Sequence, residues 1–143
     1  MIAIDTNILV YSHRKDSPFH ARAKQVVREL AEGSTQWALP WPCIHEYLAN
    51  VTNARIYKVP TPIDLALEQA EQWLHGPAVR LLAEEEGYWA VLANLLRASR
   101  VTGAKIHDAR IAALCIANGV TELLTADRDF SRLAPLRTRN PLV

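Results

Sequence analysis

Apolar residues fall along this chain in short runs and at helical spacing, in alternation. Residues 1–4 (Met-Ile-Ala-Ile) read as a buried strand, and 7–12, with Ile8, Leu9 and Val10, turn helical soon after. Pro18 opens a second helix to about residue 32, with Ala23, Val26, Val27 and Leu30 on one stripe and Gly33 as its stop. Residues 37–39 form a brief strand. Pro40-Trp41-Pro42 then launches a helix carrying Ile44, Tyr47, Leu48 and Val51 on one side, with Glu46 between them.

The second half repeats the alternation. Thr61-Pro62-Ile63-Asp64 predicts a helix to about residue 75, with Thr61 as cap and Pro62 at the first helical position, and Gly76-Pro77 ends it. Residues 79–82 read as a strand and 85–101 as a helix that buries Trp89, Leu92, Leu95 and Leu96. The helix 106–118 carries Ala109, Ala112 and Ala113, small enough for close approach to a sheet; Gly119 closes it, and 120–125 form the next strand. Short apolar strands alternating with helices predict an α/β fold with a parallel sheet covered on both faces.

Composition narrows the picture. The 143 residues suit one domain, 1–143, and at 50% hydrophobic and 22% charged they suit a folded one. A net charge of +1 argues against tight, purely electrostatic nucleic-acid binding. The balance is uneven, since Arg128, Arg132, Arg137 and Arg139 share residues 128–143 with Asp129 as the only acid. Arginine forks suit phosphate oxygens, although a solvated tail fits the charge equally well. Cys43 and Cys115 lie far apart without a Cys-x-x-Cys partner, as two thiols in a reducing cytoplasm would. Neither a signal-peptide pattern nor a run of membrane-spanning length occurs, so the expected setting is soluble and cytoplasmic, away from membranes.

The chemistry lies in Asp5, Glu46, Asp108 and Asp127. Each stands where a strand ends or a helix begins: Asp5 after residues 1–4, Asp127 after Leu123-Leu124-Thr125-Ala126. Each has a plain alternative. Asp5 could cap a helix, Asp127 and Asp129 could be turn residues, and Asp108 could complement a helix dipole. Glu46 is harder to dismiss, because its helix is mostly apolar and a buried carboxylate needs a partner. In a parallel sheet these junctions would converge at the carboxyl edge, where ligands bind. Gathered carboxylates repel one another, and a hard cation such as Mg²⁺, held through a few carboxylates and several waters, offsets that repulsion. A bound ion activates water and offsets charge on a scissile phosphate, and a second about 4 Å away steadies the leaving oxygen. Thr6, Asn7 and Thr125 would orient the carboxylates or waters. The chain offers no nucleophilic triad and no Gly-rich phosphate loop.

Asp5-Thr6-Asn7, Glu46 after Trp41-Pro42, Asp108 opening a helix, and Thr125-Ala126-Asp127-Arg128-Asp129-Phe130 together resemble the PIN-domain ribonucleases. More narrowly they resemble the VapC-type toxins of toxin–antitoxin pairs. The likeness runs through Asn53-Ala54-Arg55-Ile56 to the closing Asn140-Pro141-Leu142. It implies a three-layer α/β/α PIN-like fold and an acidic pocket that binds Mg²⁺ or Mn²⁺ and hydrolyses RNA. It also implies a small cognate antitoxin that blocks the pocket, and a homodimer, which would cover Trp37, Trp41, Trp73 and Trp89 unless all four pack within one core. The family roles fall on Asp5, Glu46, Asp108 and Asp127 as the acidic set, with Asp129 as a fifth metal ligand and Asn7 and Thr125 as polar support. Arg128 and Arg132 would hold RNA phosphates at the rim. A haloacid-dehalogenase-type phosphatase would need a second Asp where this chain has Asn7. A non-catalytic RNA- or protein-binding module on the same fold is the remaining alternative.

Overall fold

A computed structural model describes all of residues 1–143. Five strands form one sheet in the order β3-β2-β1-β4-β5, every neighbouring pair parallel. They are β1 (Ile2–Ile4), β2 (Trp37–Pro40), β3 (Val79–Leu82), β4 (Glu122–Leu124) and β5 (Thr138–Arg139). Six helices accompany them: α1 (Thr6–His13), α2 (His20–Glu32), α3 (Trp41–Val51), α4 (Ile63–Leu74), α5 (Tyr88–Ser99) and α6 (Ile106–Ala117). This is the three-layer α/β arrangement that the alternation predicts. None of the helices is long and apolar enough to cross a membrane.

Why the central strands are central is legible in their composition. β1 and β4 are short and apolar, and Ala3, Ile4, Leu123 and Leu124 are all buried, as a strand covered on both faces requires. β2 is buried throughout. Ala109, Ala112 and Ala113 of α6 are fully buried, so their small side chains do allow close packing. Tyr47 of α3 stands edge-on to Trp73 of α4, its hydroxyl donating to the Ala66 carbonyl at 3.2 Å, which fastens those two helices.

Three expectations need correction, and one strand has no sequence signal. The helix start at 61–64 is displaced: Pro62 is the N-cap and Ile63 the first helical residue. Thr61 spends its hydroxyl elsewhere, accepting from Arg14 Nη1 at 3.3 Å and lying 3.1 Å from His13 Nε2. α5 begins at Tyr88 and not at residue 85, because Gly87 sits at φ +88°, a left-handed conformation that ends the acidic run Glu84-Glu85-Glu86. Trp89 does not face the core. It lies in the first turn of α5 and is 73% exposed, whereas Leu92 and Leu95 one turn on are buried. Finally, β5 escapes a reading by pattern, since two residues, one of them an exposed arginine, carry no periodicity.

This packing divides the apolar side chains by energetic weight. Leu123→Ala should lower the unfolding free energy by about 2–5 kcal/mol, as cavity-forming core truncations do, with chemical denaturation as the measure. Trp89→Ala should stay within roughly 0.5 kcal/mol, the range of surface substitutions.

Candidate active site

β1 and β4 lie side by side, yet the chain leaves β1 toward β2 on one side and reaches β4 on the other. The carboxyl ends of these two strands therefore bound the crevice at which α/β sheets bind ligands. Asp5 follows β1 directly. Its amide donates to the Leu124 carbonyl of β4 at 2.9 Å, and its side chain caps α1 by accepting from the Thr6 amide at 2.7 Å. The other carboxylate oxygen accepts from the Thr125 hydroxyl at 2.7 Å and from Asn7 Nδ2 at 3.3 Å. The capping role and the pocket position are thus both real for this residue.

Asn7 and Thr125 extend the network. Asn7 Oδ1 accepts from the Ala126 amide at 3.1 Å, and Thr125 Oγ1 accepts from the Asp127 amide at 3.0 Å and from Asn7 Nδ2 at 3.3 Å. The two segments that leave β1 and β4 are knitted together before either turns away. Thr6 does different work, donating its hydroxyl to Glu46 Oε2 at 2.6 Å and so linking α1 to α3.

Asp5, Glu46, Asp108 and Asp127 line one pocket of about 260 Å³, with Thr6, Asn7, Asn50 and Tyr57 among its other walls. No lysine, arginine or histidine lines it. The electrostatic consequence is visible in the acids. Burial pushes the Asp5 carboxyl up to about 6, over the opposing effect of its Thr125 and Thr6 hydrogen bonds, and Glu46 and Asp108 add to the rise. Asp108, in the first turn of α6, is also raised, by burial first and then by Asp127 and Glu46. The donors are all oxygen, the charge is uncompensated, and the site fits a hard divalent cation in that respect. No three His, Cys, Asp or Glu side chains are grouped so as to hold an ion directly. Mg²⁺, which is bound through one or two carboxylates and keeps several waters, does not need such a group.

Glu46 differs from its expected setting. It is exposed, because Cys43, Ile44, Tyr47 and Val51 form the buried stripe of α3 while Glu46 and Asn50 lie four residues apart on the neighbouring face, toward the pocket. Asp129 is outside the pocket lining and forms an ion pair with Lys105 at its edge. The turn-capping role that suits Asp129 by sequence belongs to Asp127, whose Oδ1 accepts from the Asp129 amide at 2.8 Å. Arg128 lines an adjoining pocket of about 420 Å³ that also contains Asp127 and Arg139. Arg132 is exposed on the same 3-10 turn, Arg128–Arg132, and lines neither pocket. Asn50, Tyr11 and Tyr57 were not singled out by sequence. Of these only Asn50 carries a signal, its spacing from Glu46.

Residues 2–136 match the PIN domain. Among characterised relatives, Ribonuclease VapC48 of Mycobacterium tuberculosis is 31% identical over 137 residues, covering 96% of this chain and 94% of its own. VapC ribonuclease Mb2897 of Mycobacterium bovis is 34% identical over 142 residues, covering 99% and 96%. Among solved structures, VapBC2 of Rickettsia felis, bound to a DNA fragment from its promoter, superposes with a TM-score of 0.70 at 19% identity over 98% of each chain. That last likeness concerns the fold.

The raised Asp5 carboxyl has a consequence for stability. The folded chain holds this proton more tightly than the unfolded chain, so the group favours the folded state fully below about pH 4, and that contribution is lost as pH rises through about 6. The loss should approach roughly 3 kcal/mol in metal-free protein. Thermal melts of wild type and Asp5→Asn from pH 4 to 7 should converge or cross as pH rises, and parallel curves would remove this residue as the source.

Proposed function

The chain belongs to the PIN-domain family, and we propose that it is a divalent-metal-dependent endoribonuclease, the toxin of a toxin–antitoxin pair, cutting RNA phosphodiester bonds at the acidic pocket. The observation that carries this reading is the pocket at the carboxyl ends of β1 and β4, walled by four carboxylates and by no basic side chain. The relatives' naming as VapC ribonucleases supports the reaction class. The same naming supports a small antitoxin as partner, and the cytoplasm as the place of action follows from an RNA substrate.

Asp5, Asp108, Asp127 and Glu46 are the groups that would hold Mg²⁺, with Mn²⁺ as a substitute. A bound divalent ion supplies water activation and relief of phosphate charge in such sites. The chain's own part is positional. Thr125, Asn7 and the Thr6 amide fix both oxygens of Asp5, so this carboxylate has little freedom to turn. Asp127 is fixed from behind by its own amide on Thr125 and by its bond to the Asp129 amide. Glu46, exposed and held only by Thr6, is the carboxylate with room to move. Asp129 acts through Lys105, whose ammonium it holds near the pocket's rim, in place of contacting an ion. Arg128 and Arg132, exposed beside Asp127, offer guanidinium groups to RNA phosphates.

A homodimer belongs to the same reading. Ile63, Leu65 and Leu67 of α4, with Ile56 and Val59 in the preceding loop, are exposed apolar side chains that a second copy would cover. A monomeric mass at micromolar concentration would count against it.

Cleavage of single-stranded RNA should require Mg²⁺ or Mn²⁺ and stop with EDTA. Thr125→Val should lose about ten- to a hundredfold in metal affinity or turnover, as loss of a ligand-orienting partner does. Asp127→Asn should lose more, while Asp129→Asn loses less metal affinity than either. Isothermal titration with Mn²⁺ beside cleavage kinetics separates the three. Metal-independent cleavage would overturn the metal requirement, and binding of RNA without any cleavage would leave the pocket as a binding module only.

A further inference from the structure

The acidic pocket has walls that the phosphodiester chemistry does not use. Besides its carboxylates it is lined by Tyr11, Asn50 and Tyr57. Tyr57 stands in the loop between α3 and α4, is half-buried and lines the pocket. The Arg14 guanidinium lies over that ring, 3.9 Å from its centroid. Arg14 is itself pinned, donating to Asp16 at 2.6 and 2.9 Å and to the Val59 carbonyl at 2.9 Å. The Tyr57 hydroxyl donates to Asn50 Oδ1 at 2.6 Å, and Asn50 Nδ2 has no partner within the protein.

We propose that Tyr57 is a stacking platform for a nucleobase of single-stranded RNA, placed by Arg14 and flanked by the free Asn50 amide, and that it selects the nucleotide next to the scissile phosphate. This rests on the ribonuclease reading of the same pocket. A carboxylate-walled cleft repels phosphate and gives a base no reason to enter. An aromatic face does, because every base has a π-face and single strands are recognised by stacking on aromatic side chains. The guanidinium on the ring and its two anchors hold the platform in one orientation, so little freedom is lost when a base arrives. Asn50 Nδ2 then meets an acceptor on the base edge, which gives one nucleotide position a preference the phosphate contacts cannot supply. Asn50 lies one helical turn beyond Glu46 on the same face of α3, so base recognition and the acidic centre are borne by one rigid element.

The test uses wild type, Tyr57→Phe and Tyr57→Leu with a short single-stranded RNA that wild type cleaves, and with copies carrying one abasic nucleotide at each position near the cut. Tyr57→Phe keeps the ring and should stay within about threefold of wild type in KM, whereas Tyr57→Leu should raise KM roughly five- to a hundredfold, the range base–aromatic stacking supplies. In both variants kcat should change little. One abasic position should cost wild type as much as Tyr57→Leu does and should cost Tyr57→Leu nothing further, a coupling that loss of folding would not produce. An unchanged KM in Tyr57→Leu, or abasic and Leu effects that simply add at every position, would overturn the platform while leaving the nuclease intact. Failure of wild type to cleave any RNA with Mg²⁺ or Mn²⁺ would instead overturn the ribonuclease reading, and the platform with it.

Discussion

One hydroxyl group joins the two halves of the active edge. Thr125 Oγ1 donates to Asp5 and accepts from the Asp127 amide and from Asn7 Nδ2, so its single proton and both lone pairs are engaged. Through it the ends of β1 and β4 are positioned against each other, about 120 residues apart in sequence. A serine would supply the same three bonds with less packing. Valine, of nearly the same shape, would supply none and would leave a buried carboxylate short of a donor, at a cost of about 1–3 kcal/mol. Asp5 and Asp127 owe their relative placement to this joint, and Asn7 reinforces it by reaching across to the Ala126 amide.

The joint sets up an electrostatic conflict. Thr125 and the Thr6 amide stabilise the ionised form of Asp5, yet burial outweighs both and its carboxyl rises to about 6. Asp108 sits in the first turn of α6, where a helix dipole favours negative charge, and it is raised nonetheless. Local hydrogen bonds and a helix end therefore do not cancel what burial and mutual repulsion do to these carboxylates. The cations nearby have other partners, Lys105 pairing with Asp129 and Arg110 with Glu84, and the opposing pull of Lys105 on Asp108 is smaller than the effect of burial.

Much of this could be read from the order of residues. β1, β2 and β4 are apolar runs, and α2, α3 and α6 show their buried stripes at helical spacing, so the sheet and its covering helices follow from periodicity. Asp5, Asp108 and Asp127 were legible because each falls at a junction that a parallel sheet brings to one edge, and Glu46 because a carboxylate stood in a mostly apolar helix. Where the reading failed, the fault lay in treating neighbours in sequence as neighbours in space. Glu46 is surrounded by apolar residues along the chain, but on a helix Ile44 and Tyr47 turn away from it. Trp89 has the spacing of the buried Leu92, but in the first turn of α5 it is Tyr88 and Val91 that pack against the core while Trp89 faces outward. Of the two turn candidates Asp127 is the cap and Asp129 pairs with Lys105, because β4 ends at Leu124 and the turn begins sooner than the apolar run suggests. Tyr57 has no local signal. Its place depends on Arg14, on Asn50 and on the Thr61 amide bonding the Val51 carbonyl at 2.8 Å, contacts that span the chain.

The distribution of burial among the acids implies a division of labour. Asp5 is 4% exposed and held by the Thr6 amide, Asn7, Thr125 and the Cys43 thiol, so it is a fixed charge whose orientation the fold determines. Glu46 is exposed and has one partner, a threonine hydroxyl, so it can be drawn inward at small cost when positive charge enters. Were all four acids as buried as Asp5, the metal-free chain would bear a desolvation cost at each, and a domain with only several kcal/mol of net stability could not sustain it. Were all four as free as Glu46, no geometry would await the substrate. Keeping one carboxylate rigid at the strand end and leaving another exposed on a neighbouring helix confines the desolvation cost to Asp5 and, in part, Asp108. The rigid group supplies the reference point around which the others gather.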